Sequence, residues 1–585
     1  MNPRRKKNYL KSLALGLLLA TLSSCGDFHH SSITVTLEDG DFHCKTQSVS
    51  GNSGEDFTFS ITTSITKAVT GSSYEDFTAS SSVDPQNDIR FQTLTFHNVR
   101  YSTVITLRIE AIQTLSYVGL DEQYTDFAPL THTRFNVSTD LSRFKKEGHK
   151  LIGYKDGEGQ IVSLGSRVSP SESGTIALYP VHAKETSGTE FSYIEKGSRY
   201  LSIARYNGVG GAIVVPETID GRIVDSIEPE CFQNGIYTQV VLPSSLTSLS
   251  PGAFSSCSID ELVIYDGIQS VGDSCFEHTS INNVRINAKE SPAYIGTYFG
   301  SYADKVDRLI ALKEKKKFVL YSGSSTRFGF DSALLDESLA DYDVVNMGVY
   351  AYTESKPQID VLSHFLNRDD ILLVSPEFDT LETQMNVDDT LDFAFFAMCE
   401  ANYDIIRYLP LSHYSNFFDS FGDYLSRRKA MARSRYEDSP SFYDEDGNRV
   451  SHSSYNAYGD YSLFRENNTS RKSFGIRRAY YNKSHFRASD IALFNAAYAP
   501  LQSQGVQVYF DYSPRMITSI SEDSSEASWI ELGEYLQKSI PMLFLSRIED
   551  SLLDPYYFYG TDNHLSTEGA KKRTQHVLKN LLPLL

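Results

Sequence analysis

Three six-residue segments, Ile227-Glu-Pro-Glu-Cys-Phe232, Leu249-Ser-Pro-Gly-Ala-Phe254 and Val271-Gly-Asp-Ser-Cys-Phe276, recur every 22 residues. Two apolar series, Val240, Leu262, Val284 and Leu242, Ile264, Ile286, keep the same interval. A unit this short cannot bury its apolar face alone, so the segment must stack turn on turn as a solenoid. Cys231, Cys257 and Cys275 fall at or near corresponding repeat positions and read as small core residues. Cys44 and Cys399 bring the cysteines beyond Cys25 to five, an odd number without metal-ligand spacing. Neither a metal nor a cofactor is expected.

The flanks of the solenoid differ in character. Ile33-Thr-Val-Thr-Leu37, Phe57-Thr-Phe-Ser-Ile61 and Ile105-Thr-Leu-Arg-Ile109 alternate apolar and polar residues, the pattern of half-buried strands. They predict an all-β module over 25–125. A second β segment runs from about Thr131 to Lys184. Beyond Tyr302, strand-like runs at Phe318–Tyr321, Val344–Asn346, Ile371–Val374 and Val506–Phe510 alternate with helical stretches. That order predicts a parallel sheet with helices on its faces. The stretch from about Tyr436 to Lys483, rich in Tyr, Ser, Asp and Arg, reads as an insertion covering the sheet edge or lining a cleft.

The chain opens with Arg4, Arg5, Lys6, Lys7 and Lys11, then an apolar run from Leu13 to Leu22 and Leu22-Ser-Ser-Cys25. The run is too short to span a bilayer and reads as a secretory signal over 1–24. Loss of those five cations takes the formal charge from −20 to −25. So acidic a chain is not expected to seek nucleic acid or an anionic membrane surface.

Two motifs carry chemistry. Phe318-Val-Leu-Tyr-Ser-Gly-Ser-Ser-Thr-Arg327 reads as a buried strand ending in a turn that presents a serine. A helix beginning within Thr326–Leu335 would favour a developing oxyanion. Tyr559-Gly-Thr-Asp-Asn-His-Leu-Ser-Thr-Glu-Gly569 supplies Asp562 and His564 just before a helix. Ligands of an open α/β sheet bind beyond the carboxyl ends of its strands, where the first motif falls. Nucleophile, base and base-orienting group are the parts of serine acyl transfer. A Gly-Ser-Ser turn and a helix-capping Asp-Asn-His loop also occur without chemistry, which leaves an inactive site as the other reading.

Four resemblances follow from these residues. Leu22-Ser-Ser-Cys25 resembles the lipobox of bacterial lipoproteins, which implies acylation of Cys25 and an extracytoplasmic, lipid-anchored protein, displayed at the cell surface. Gly148–Gly157 with Ile176–Val181 resembles a Listeria–Bacteroides repeat over 126–186, and Val214–Ile227 resembles the start of BspA-like leucine-rich repeats over 187–300. Residues 301–585 resemble an SGNH (GDSL-like) hydrolase, of the Gly-Ser-Ser branch that includes the D-alanyl transfer protein. The expected whole is multidomain: all-β modules, a short leucine-rich-repeat solenoid and a C-terminal three-layer α/β domain with a parallel sheet. The last resemblance implies Ser325 as nucleophile, His564 as base and Asp562 as its orienting partner. It implies the amides of Ser325 and Gly348 as oxyanion donors; Asn346 and Glu377 are further candidates for substrate contact, read from their positions and not from the family. Ser375-Pro-Glu-Phe-Asp379 stands where the family carries an asparagine, and a single residue separates Asp562 from His564. The implied activity is that of a serine esterase or O-acyltransferase on acylated glycans or envelope polymers. The alternative is an adhesin or scaffold with an inactive domain, whose repeats bind a protein or glycan.

Overall fold

The structure is a computed structural model. It describes residues 32–585 apart from 40–46, 65–66, 75, 85–88, 120–122, 130–134, 169–174, 290–291, 295–296, 352, 379–384, 386, 435–454, 462 and 475–477. The expected signal and Cys25 lie outside the described residues. Among the described residues, no helix is long and apolar enough to cross a membrane.

Tertiary contacts divide the chain into two compact units, residues 1–113 and 114–585. The first is all-β. Its strand Ser32–Asp39 pairs antiparallel with Gln47–Asn52 and parallel with the start of Thr103–Val118. Strand Ile89–Val99 lies between Glu55–Thr63 and Phe77–Asp84 in an antiparallel sheet. Alternation decides the core: Phe57, Phe59 and Ile61 point inward with Leu94 and Phe96, as a pleated strand with one buried face requires.

The second unit takes up the rest of strand Thr103–Val118, whose Thr114–Tyr117 pair parallel with Thr175–Leu178. His149–Lys155 pairs antiparallel with Thr175–Lys184. The repeats follow with the predicted register, in which Val240 lies beside Leu262, which lies beside Val284. Each turn contributes one phenylalanine to a ladder. Phe232 stacks on Phe254 at 4.7 Å and Phe254 on Phe276 at 5.1 Å, with interplanar angles of 3° and 4°. Phe418 from helix Phe417–Ser434 continues the ladder over Phe276 at 3.7 Å. Cys231, Cys257 and Cys275 are buried and unpaired, in keeping with their reading as core residues.

The C-terminal part holds a five-stranded parallel sheet in the order Asp343–Asn346, Lys317–Tyr321, Ile371–Val374, Gln507–Phe510, Leu543–Phe544. Every strand expected from the alternation is present. Side-chain alternation serves both faces. Val319, Val345, Leu372 and Phe510 pack with Val306, Ile359 and Phe494, from helices Ser301–Ala311, Ser355–Ser363 and Ala488–Gln504. Phe318, Leu320, Val344 and Leu373 pack with Leu335 and Val577, from helices Ser332–Ser338 and Thr567–Leu581. In chain order the strands run 2-1-3-4-5, so the direction of winding reverses between Lys317–Tyr321 and Ile371–Val374. The carboxyl ends of those two strands are where ligands of such sheets bind. The described part of the Tyr-rich insertion covers the sheet edge, where the Asn346 amide donates to the Tyr458 carbonyl at 2.8 Å.

Candidate active site

Strand Lys317–Tyr321 ends in a turn at Gly323 and continues as a single helical turn, Ser324–Arg327. The helix expected across 326–335 is broken in two. At Gly329 a Cβ atom would lie 2.1 Å from the Ser325 carbonyl oxygen, so the chain turns away where only glycine fits. The second helix, Ser332–Ser338, starts afresh on Asp331, whose carboxylate accepts from the Leu334 amide.

This short turn decides which serine is presented. Ser324 Oγ lies 2.9 Å from His564 Nε2. Ser325, the nucleophile expected from the Gly-Asp-Ser alignment, is fully buried, and among the described residues its hydroxyl has no partner. Its amide donates to Glu377 Oε1 at 2.8 Å. Successive residues of a helix point about 100° apart, so a one-residue shift exchanges the hydroxyl beside His564 for one inside the turn. The hydroxyl beside the imidazole is therefore that of Ser324.

His564 comes from the loop before helix Thr567–Leu581, which is capped by the Ser566 hydroxyl. Its amide donates to Thr561 Oγ1, and its ring stacks on Phe328 at 4.2 Å and 11°. Ser324 and His564 are 7% and 9% exposed, so the pair is largely dry. Burial first, then the positive charges of Arg327 and Arg465, lower the His564 pKa to about 3. The ring is neutral at ordinary pH, the form that can accept a proton from serine.

The remaining expected site residues have other partners. Asp562 accepts from the Phe474 amide and the Ser473 hydroxyl, both at 2.8 Å; among the described residues, no hydrogen bond joins its carboxylate to the His564 ring. It ties the insertion to the histidine loop instead of holding the ring. The Gly348 amide, expected as an oxyanion donor, donates to Asn346 Oδ1 at 2.9 Å. Asn346 in turn donates to Asp460 Oδ1 and the Thr326 carbonyl, which commits its amide to the interior. Glu377 is a brace: Oε1 accepts from the Ser325 amide and Oε2 from Asn563 Nδ2 at 2.7 Å. One carboxylate therefore fixes the serine turn relative to the histidine loop. Arg573 adds a second tie, reaching the Ser325 carbonyl, Ser375 Oγ and Asp511 Oδ2.

Sequence reasoning passed over Ser324, Asp460 and the surroundings of Arg327. The tyrosine density of the insertion was the available signal, since Tyr455 and Tyr461 pack beside the serine turn.

Comparison with known proteins bears on the repeats. The BspA type leucine rich repeat region matches residues 225–315, in six copies. Among solved structures, the crystal structure of a T. pallidum leucine rich repeat protein is similar over 16% of this chain and 67% of its own. Its identity is 19% and the TM-score 0.12. No curated protein matches the chain. The repeat region is thus of BspA type.

Proposed function

We propose that the C-terminal domain is an SGNH-like serine acyl hydrolase or O-acyltransferase with Ser324 as nucleophile and His564 as base. The observation that carries this reading is the 2.9 Å contact between Ser324 Oγ and His564 Nε2 at the switch point of the parallel sheet. Ser324 Oγ attacks an ester carbonyl while His564 Nε2 takes its proton. The tetrahedral intermediate then collapses to an acyl-serine, and the leaving alcohol takes the proton from His564. Water or a sugar hydroxyl receives the acyl group in the reverse sequence. Glu377 and Arg573 hold the serine turn, and in this reading the Ser324 amide donates to the developing oxyanion. The lipobox-like Leu22–Cys25 supports a lipid-anchored, extracytoplasmic protein whose β modules and repeats carry the domain. Acylated glycans or envelope polymers are the substrates such a protein meets first.

Fluorophosphonate labelling of the full chain tests this. Labelling should be lost in Ser324→Ala and His564→Ala and kept in Ser325→Ala. Equal labelling of wild type and Ser324→Ala would sink the assignment. A second reading, a surface adhesin or scaffold, is favoured by the BspA-type repeats. It expects binding to a glycan or protein that survives Ser324→Ala.

A further inference from the structure

Arg327 is fully buried, yet among the described residues Nε, Nη1 and Nη2 all lack a hydrogen-bond partner. Tyr298 and Tyr455 each lie 4.2 Å from its guanidinium carbon, with Phe328 at 4.8 Å and Tyr461 at 5.2 Å. Aromatic faces stabilise the charge but accept none of its N–H groups in the plane of the fork. Tyr298 and Tyr455 are half-buried, while Tyr461 and the guanidinium itself are buried.

The surrounding charge is out of balance. Arg465 shares the Phe328 and Tyr461 rings with Arg327, and Lys305 shares the Tyr455 ring. Lys305 is bonded to the carbonyls of Asn346, Gly348 and Gly459, and Arg465 to those of Tyr461, Phe328 and Leu565. Neither therefore has a carboxylate hydrogen-bonded to it. The buried carboxylate of Asp460 is committed to Asn346, Ser332 and Asn456, and Asp304 is held by Arg167. Burial and the neighbouring Arg327 push the Lys305 ammonium well below its usual range, toward the neutral amine, so the two buried guanidinium groups of Arg327 and Arg465 face one buried carboxylate. Leaving a buried charge uncompensated costs several kcal/mol, so the arrangement calls for an occupant. Water would satisfy the N–H groups but not the charge; a carboxylate or phosphate would satisfy both, in the bidentate geometry a guanidinium favours.

We propose that Arg327 is the receptor for an oxyanion, carboxylate or phosphate, carried by the substrate whose acyl group meets Ser324. The link to catalysis rests on the acyl-transfer reading; the anion site does not. Ser324 and Arg327 lie three residues apart in one helical turn, so their side chains leave the same face. The substrate class is thereby narrowed to acylated polymers bearing acidic groups.

The test is thermal unfolding of the full chain with inorganic phosphate, against sodium chloride at equal ionic strength, in wild type and Arg327→Met. A saturable rise of a few degrees with phosphate, absent in the variant, is expected. Without phosphate the variant should melt no lower than wild type, because an apolar side chain of similar size replaces an unpartnered charge. Phosphate should also slow fluorophosphonate labelling of wild type at least several-fold. A wild-type melting temperature that responds to phosphate no more than to chloride would overturn the anion site, whatever the variant does. Phosphate stabilisation with unchanged labelling would overturn its place beside Ser324. Phosphate stabilisation lost in Arg327→Met, in a chain that never labels, would uphold the anion site and remove the acyl-transfer reading alone.

Discussion

The depressed pKa of His564 makes the pH dependence of the site a test of how it is built. An exposed histidine titrates near 6.5, so at pH 5 about 3% of it would be neutral. A base with that value would slow labelling about 30-fold between pH 8 and pH 5. With its pKa lowered to about 3, His564 stays neutral over that range and the rate should be nearly flat. The same shift enters stability. The unfolded chain takes up the proton near pH 6.5 and the folded one only near pH 3, so stability is lost as pH falls between these values. At pH 5 the loss is about 2 kcal/mol and at pH 3 about 4 kcal/mol, at 1.36 kcal/mol per pH unit. The assay is the rate of Ser324 labelling from pH 5 to 8, together with the melting temperature of wild type and His564→Gln. The variant should lose less stability on acidification. A labelling rate that falls through an apparent pKa near 6.5 would refute the reasoning, because the ring would then be solvated or paired with a carboxylate.

Three further outcomes follow from particular contacts. Glu377→Ala leaves the Ser325 amide and Asn563 Nδ2 without their ionic acceptor; at roughly 1–3 kcal/mol for each, the domain should lose about 2–6 kcal/mol in urea unfolding. Gly348→Ala would place a methyl group 2.4 Å from the Arg327 backbone nitrogen; labelling should fall at least about 10-fold, a cost of about 1–3 kcal/mol, while far-ultraviolet circular dichroism is unchanged. Phe254→Ala removes the middle rung of the ladder between Phe232 and Phe276 and should cost about 3–5 kcal/mol, read by urea unfolding; a loss under about 1 kcal/mol would mean the stack is not a packed core.

Much of the architecture was legible because it depends on local periodicity. The 22-residue interval aligned Val240, Leu262 and Val284 in neighbouring strands, and the alternation at Phe57–Ile61 named inward residues correctly. The runs at Phe318–Tyr321 and Ile371–Val374 are buried on both faces, which shows in sequence as continuous apolar residues. The site was less legible. A Gly-Ser-Ser turn and an Asp-Asn-His loop marked the right ends of the right elements, but not which hydroxyl meets the imidazole. Asp562 was expected on the imidazole and instead binds Ser473 and Phe474, from an insertion without periodicity.

The sequence by itself determined the repeat register, the strands of the parallel sheet and the serine turn at the end of one of them, since each follows from spacing along the chain. Only the tertiary structure decided that Ser324 faces His564, that Glu377 joins the two loops, and that Arg327 sits among Tyr298, Tyr455 and Tyr461. The physical reason is distance along the chain. Ser324 and His564 are separated by 240 residues, and a side chain's direction across such a gap is set by the packing of every element between.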